Sequence, residues 1–163
     1  MFDPTAFDNL KVVAEGAVYD LDLSGDISIL DRRDLFDFAH YERTYRIEYC
    51  LPEKNTSIIL QLKADMGHFL AEKKGVSEKN KAGAEIQLTY KGKEIIHQVK
   101  EKLESAWGTD KSWEWIKVHS SLHPPEVRGM LTFNRVITEE MVDDILQMVS
   151  FSIETLNILT EWD

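Results

Sequence analysis

The sequence predicts an α+β protein with a single antiparallel sheet covered on one face by helices and a long C-terminal amphipathic helix. Segments that alternate apolar and polar side chains are joined by short turns, which favour antiparallel pairing. Residues 138–163 contain no glycine or proline and repeat apolar side chains at helical spacing. Strands and helices combined in this way belong to the α+β class.

The N-terminal quarter is predicted to form a helical turn, a β-hairpin and a short helix. Asp3 and Pro4 suit the start of a helical turn. Over residues 10–23 β-branched and aromatic side chains become frequent, and residues 19–23 alternate apolar and acidic side chains, which predicts a strand. Residues 24–26 then form the turn into a short return strand, which completes a hairpin. Residues 31–40 predict a short helix.

The remaining elements follow from the same two periodicities. Alternation predicts strands, and apolar residues three and four positions apart predict helices. Gly75 and Gly108 are placed to end helices. In chain order the predicted elements are strands at 43–51 and 57–62, a helix at 66–74, a strand at 85–90, a helix at 93–106, and strands at 113–119 and 127–136.

The C-terminal helix is predicted to begin at Thr138, a residue type that caps helices well. Acidic residues in its first turn suit the positive end of the helix dipole. Its apolar face centres on Ile145, Val149 and Leu156 among others, and we expect these three to be almost fully buried against the sheet.

Two apolar residues of this helix fall on its acidic side. Phe151 and Ile158 lie seven positions apart, so one stands above the other on the helix surface. A monomer gains nothing by exposing both, although single exposed apolar residues are common. We interpret them as an interface, covered by the predicted helix at 93–106 or by a second copy in a C2 dimer.

Length and composition indicate one cytoplasmic domain. The 163 residues suffice for one core, and we expect residues 1–163 to form it, with a mobile loop near residues 75–83. The single cysteine, Cys50, excludes an internal disulfide and favours a reducing compartment. The first residues lack the features of a signal peptide, and no membrane span is predicted.

The net charge of −10 is concentrated at the two ends of the chain. Residues 1–42 hold ten acidic and three basic side chains, and residues 138–163 hold seven acidic and none basic. No stripe of lysine and arginine is present, so nucleic acid is not an expected partner. A solvated acidic surface explains the bias most simply.

Residues 20–31 resemble the calcium loop of an EF-hand or dockerin-type repeat. Asp20, Asp22, Ser24 and Asp31 stand at loop positions 1, 3, 5 and 12, with Gly25 at position 6. The resemblance covers these twelve residues and implies a Ca²⁺ site. The family prefers glutamate at position 12, and the leucines in this segment also depart from its polar pattern. The hairpin is the main interpretation of the segment, because period-two alternation is its strongest signal, and the metal loop is the alternative.

Three further groups of residues are candidate sites. Trp107, Trp113 and Trp115 surround a turn, and we interpret them as core residues, with a stacking platform for a base or sugar as the alternative. His119 and His123 end a strand, where residues four apart lie about 13 Å apart, too far for one metal ion. The strand around Cys50 suggests a buried, inert thiol.

The sequence carries no nucleophile motif, phosphate-binding glycine loop or paired acid–base motif, so no cofactor is predicted and catalysis is not the leading expectation. An enzyme is still an alternative, because active sites are often assembled from residues that lie far apart in the sequence. We expect a cytoplasmic interaction or regulatory domain that binds a protein partner or itself, and neither nucleic acid nor membrane. The alternative is a small-ligand or metal-binding domain, including an enzyme, with its cavity between sheet and helices.

Overall fold

The computed structural model describes residues 5–75, 81–93 and 95–160. Its elements are α1 (Ala6–Leu23), β1 (Ser28–Asp37), β2 (Glu42–Cys50), β3 (Ser57–Ala64), α2 (Met66–Lys74), β4 (Gly83–Gly92), α3 (Ile95–Gln98), α4 (Lys100–Trp107), β5 (Ser112–Val118), β6 (Glu126–Thr138), a 3₁₀ turn (Glu139–Met141) and α5 (Val142–Leu159). The sheet has the strand order β1-β2-β3-β4-β6-β5, and all neighbouring strands are antiparallel. The predicted α+β class is therefore confirmed.

Alternate side chains of the sheet face opposite sides. On one side they form a continuous core with α1, α4 and α5. Fully buried core residues of the central strands are Tyr45, Ile47, Tyr49, Ile58, Leu60, Leu62, Leu88 and Tyr90. The side chains between them are mostly polar or charged, and they form the outer face of the sheet.

The C-terminal helix is close to its prediction. Ile145, Val149 and Leu156 are almost fully buried in the core, as expected. The helical segment begins with the 3₁₀ turn, and Thr138 stands at its N-cap without a capping hydrogen bond from its side chain. The end of the predicted helix, residues 161–163, lies outside the described residues.

The prediction of a strand and hairpin over residues 10–29 is wrong, because residues 10–23 belong to α1, and a turn joins this helix to β1, which begins at Ser28. A capping box starts the helix: the Asp8 N–H donates to Thr5 Oγ1, and the Thr5 N–H donates to the Asp8 carboxylate. Buried residues then recur at helical spacing, at Phe7, Leu10, Ala14 and Val18. The alternation in residues 19–23 is only the last turn of this helix. Asp3 and Pro4 lie outside the described residues.

The predicted helix at 31–40 is also wrong. Residues 28–37 form β1, an edge strand that pairs with β2 over its whole length. Its last eight residues are exposed, so the strand lacks the alternation of buried and exposed positions that marks a half-buried strand.

Two smaller differences concern the middle of the chain. The predicted helix at 93–106 is divided at Val99 into α3 and α4. Of the loop expected at 75–83, Gly75 caps α2 with a positive φ of 67° and Gly83 begins β4, while residues 76–80 lie outside the described residues.

Among the described helices, none is both long and apolar enough to cross a membrane.

Candidate functional site

A surface groove of about 390 Å³ lies between α1 and α5. Its apolar lining consists of Ala17, Leu21, Leu51, Leu146, Val149 and Ile153. The polar lining consists of Asp26, Ser150, Glu154 and Asn157. Both charged residues of the lining, Asp26 and Glu154, are therefore acidic. We call this feature the α1–α5 groove.

The α1–α5 groove exists because two helices lie side by side on the same face of the sheet. α1 and α5 contact each other, and both contribute to the core. Ala17 is small and half-buried, so α1 leaves space at this position. Leu146 on α5 stays 44% exposed at the groove, while Val149 one turn later is buried. The groove therefore offers apolar surface to a partner.

Buried hydroxyl groups fix the rotation of α5 on the sheet. Tyr49 Oη lies 2.7 Å from Ser152 Oγ, and Tyr90 Oη lies 2.7 Å from Thr155 Oγ1. Trp107 Nε1, which can only donate, donates to Tyr90 Oη at 2.8 Å, so the Tyr90 hydroxyl is left to donate to Thr155. Burial raises the pKa of both tyrosines far above the ordinary value, and their hydroxyls stay neutral.

The charges around the groove are strongly one-sided. α5 contains neither lysine nor arginine, and of its acidic residues Glu154 lines the groove, whereas Asp143 and Asp144 do not; Asp144 pairs with Arg135 at 3.1 Å. The lysine of α1, Lys11, forms an ion pair with Asp34 of β1 at 2.6 Å. The groove thus combines apolar surface with a negative rim, which attracts cations.

The four candidate calcium ligands are spread over three structural elements. Asp20 and Asp22 lie in the last turn of α1, Ser24 caps its end, and Asp31 lies on β1. Asp31 accepts a hydrogen bond from Arg33, which lowers the pKa of its carboxyl group. Within the described residues, no three His, Cys, Asp or Glu side chains converge on one point. The metal site remains a prediction.

The predicted interface residues have different surroundings. The Phe151 ring is half-buried and packs edge-on against the Trp107 ring of α4, with centroids 4.6 Å apart. The helix predicted at 93–106 was one of the two surfaces expected to cover Phe151. Trp107 is the last residue of α4, so the C-terminal end of this helical segment packs against Phe151. Ile158 is 42% exposed. A dimer interface through this stripe remains a prediction.

The tryptophans pack on the helix-covered side of the sheet. Trp113 and Trp115 stack with centroids 5.4 Å apart and planes 9° from parallel. Trp115 Nε1 donates to Glu104, and a Cβ on Gly129 would come within 2.7 Å of the Trp115 ring. The two rings stack face to face and pack against the core, which supports their interpretation as core residues.

The remaining sequence candidates show no joint geometry. Cys50 is buried, and burial raises the pKa of its thiol, so the thiol stays protonated at neutral pH. His119 and His123 are exposed residues beyond the end of β5. The residues that sequence reasoning missed are Leu21, Leu146 and their neighbours in the groove, because finding them required α1 to be recognised as a helix.

The tip of the β1–β2 hairpin also exposes apolar side chains. Phe36, Phe38 and Tyr41 are all more than two-fifths exposed. Phe36 packs against both of the other rings, at centroid distances of 4.8 Å and 6.5 Å. The three aromatic rings thus form a small cluster of their own, separate from the α1–α5 groove.

Comparison of the chain with models of known protein families, with curated proteins and with solved structures found no match. The groove, with its apolar lining and its acidic residues, is therefore the feature from which a function is inferred.

Proposed function

We propose that this protein is an interaction module whose α1–α5 groove binds a basic amphipathic helix of another protein. The observation that carries the proposal is the combination, in one groove, of apolar lining with acidic groups at Asp26 and Glu154. A helix with an apolar stripe and flanking lysines or arginines complements such a surface in both respects.

The dimensions of the groove support a helical ligand. Leu146, Ser150, Ile153 and Asn157 follow one another at helical spacing along one face of α5. From the first to the last of them, the helix rises by about 16 Å, which equals roughly three turns of a bound helix. Three turns present apolar anchors at positions i, i+4 and i+7, the usual pattern of helix-in-groove recognition.

Charge favours a different protein over a second copy of this chain. If two copies met through the groove, the carboxylates of Asp26 and Glu154 would face the same groups of the partner, and like charges repel. Self-association through Phe151 and Ile158 is the competing proposal. Because Ile158 does not line the groove, the two arrangements can be separated by mutation.

The first test uses a labelled model peptide of roughly 18 residues, made of leucine and lysine in a helical pattern. Fluorescence anisotropy measures its binding to wild type, Leu146→Ser and Ile158→Ser. The two replaced side chains are 44% and 42% exposed on the same helix, so the variants are matched. We expect Leu146→Ser to weaken binding about tenfold, equal to about 1.4 kcal/mol, and Ile158→Ser to leave it unchanged. Equal effects would contradict the proposal.

The second test addresses charge. Glu154→Lys and Asp143→Lys reverse one charge each in α5, but only Glu154 lines the groove. Glu154→Lys should weaken peptide binding more strongly than Asp143→Lys at low salt, and the difference should shrink as salt screens the charges. Two identical losses would mean that the peptide responds to the overall charge of the protein and not to the groove.

A further inference from the structure

Four cations face one cavity on the outer face of the sheet, on the side away from the helices. Arg33 of β1 lies directly opposite Arg46 of β2, and Lys91 of β4 lies directly opposite Arg128 of β6. All four side chains line a cavity of about 240 Å³. Like charges directly opposite each other destabilise a sheet, and two such pairs occur here in a protein with a net charge of −10.

The arginines of this cavity are held in place and keep donors free. Each uses Nε to donate to an oxygen of a neighbouring side chain. The bonds run from Arg33 to Asp31 at 2.8 Å, from Arg46 to Gln61 at 2.7 Å, and from Arg128 to Glu126. Among the described residues, the terminal guanidinium nitrogens of the three arginines make no further hydrogen bond. Such nitrogens bind two oxygens of a carboxylate or phosphate at once.

The carboxylates near the cavity do not cancel its positive charge. Asp31 and Glu48 belong to the lining, against four cations, which leaves an excess of two positive charges. Glu126, which contacts Arg128 from outside the lining, reduces the excess to one. Glu48 is already engaged by Ser57 at 2.6 Å and by Lys91 at 3.4 Å.

Arg46 is the cation of this cavity whose positive charge is least neutralised by nearby carboxylates. Its guanidinium is hydrogen-bonded to the neutral amide oxygen of Gln61, and among the described residues it has no carboxylate within ion-pair distance. Its neighbour Arg33 adds a second positive charge across the strand pair. An anion bound between the two would relieve this repulsion.

We propose that this cavity binds a small ligand with two oxyanion groups, either phosphoryl or carboxylate. Arg33 and Arg46 hold one group, Lys91 and Arg128 hold the other, and Ile59 lies between them in the lining. β3 separates the two pairs, so the backbones of β2 and β4 are about 10 Å apart. The cavity has the volume of roughly eight water molecules, which suits a small molecule and not a polymer. The site is independent of the α1–α5 groove, which lies on the other side of the sheet.

The test is isothermal titration calorimetry with pyrophosphate and with succinate, at constant ionic strength maintained with sodium chloride. The proteins are wild type, Arg46→Gln and Lys63→Gln. Lys63 is a half-buried cation on the same face that pairs with Glu42 and does not line the cavity, so its variant removes the same charge elsewhere. We expect one anion to bind the wild type, at least tenfold weaker binding to Arg46→Gln, and a change below about twofold for Lys63→Gln.

The preferred anion distinguishes a phosphoryl from a carboxylate ligand. The proposal is overturned if neither anion binds the wild type, or if Lys63→Gln weakens binding as much as Arg46→Gln does. Thermal melting without ligand serves as the control for folding. Because the substitution removes one of two repelling charges, Arg46→Gln should melt at or above the wild-type temperature. A midpoint several degrees lower would show that Arg46 stabilises the fold, and it would also overturn the proposal.

Discussion

Replacement of Tyr90 by phenylalanine should destabilise the protein more than the same replacement at Tyr49. Both tyrosines are fully buried, and both hydroxyls reach a hydroxyl of α5. Tyr90 Oη, however, also accepts the Nε1 hydrogen of Trp107, which has no alternative partner in the described structure. Tyr90→Phe therefore removes two hydrogen bonds and leaves a buried donor unsatisfied.

The magnitude follows from the partners that remain. A lost buried hydrogen bond costs about 1 kcal/mol, and an unsatisfied buried donor costs about 1–3 kcal/mol. Tyr90→Phe should therefore lower the free energy of unfolding by about 2–4 kcal/mol. Tyr49→Phe should lower it by only about 1 kcal/mol, because Ser152 Oγ keeps its bond to the Val149 carbonyl oxygen.

Urea unfolding, followed by circular dichroism and tryptophan fluorescence, measures both free energies. The two variants lose the same atom from the same residue type, so the hydrophobic contribution cancels in the comparison. If the two losses are equal, the hydrogen bond from Trp107 to Tyr90 contributes nothing measurable to stability, and the expected difference between the tyrosines is refuted.

Three further outcomes are expected. Leu156→Ala should lower the free energy of unfolding by about 2–5 kcal/mol in the same urea assay, because Leu156 is fully buried; a loss below about 1 kcal/mol would contradict its position in the core. The hydrogen bond from Arg43 lowers the pKa of Asp34 from 3.8 to about 2, so its contribution to stability is complete above pH 4 and lost as the pH falls through 2. Melting curves of wild type and Asp34→Asn should therefore converge between pH 4 and pH 2. Millimolar Ca²⁺ should leave the melting midpoint unchanged, and a rise that Asp20→Ala abolishes would instead support the metal loop.

The sequence predicted those elements in which local signals agree. β2, β3, β4 and β6 alternate fully buried side chains with less buried ones, and their observed bounds lie close to the predicted ones. α5 was predicted because its apolar face is wide and free of glycine and proline. In these elements, one period applies over the whole length.

The failures occurred where periodicity was short or absent. In α1, Tyr19, Leu21 and Leu23 imitate a strand at the end of the helix, while the helical period of the buried residues starts earlier in the chain. In β1, side chains are exposed on both faces, so burial leaves no pattern to read. The groove was missed for the same reason, since one of its two walls is α1.

The anion cavity could not be predicted, because it depends on the register between strands. Ile29 lies opposite Tyr49, and continued alternation would turn Arg33 towards the core. A bulge between Ile29 and Asp31 shifts the pairing by one residue and places Arg33 opposite Arg46 on the outer face.

The same bulge decides which of two adjacent arginines faces which side of the sheet. Arg32, opposite the buried Ile47, lies on the helix side of the sheet and forms an ion pair with Glu15 of α1 at 3.3 Å. Arg33 lies on the other side and completes the cationic cavity. Neighbouring residues of a strand always point to opposite faces, and the shift of one residue in β1 decides that Arg33, and not Arg32, stands opposite Arg46 in the outer cavity.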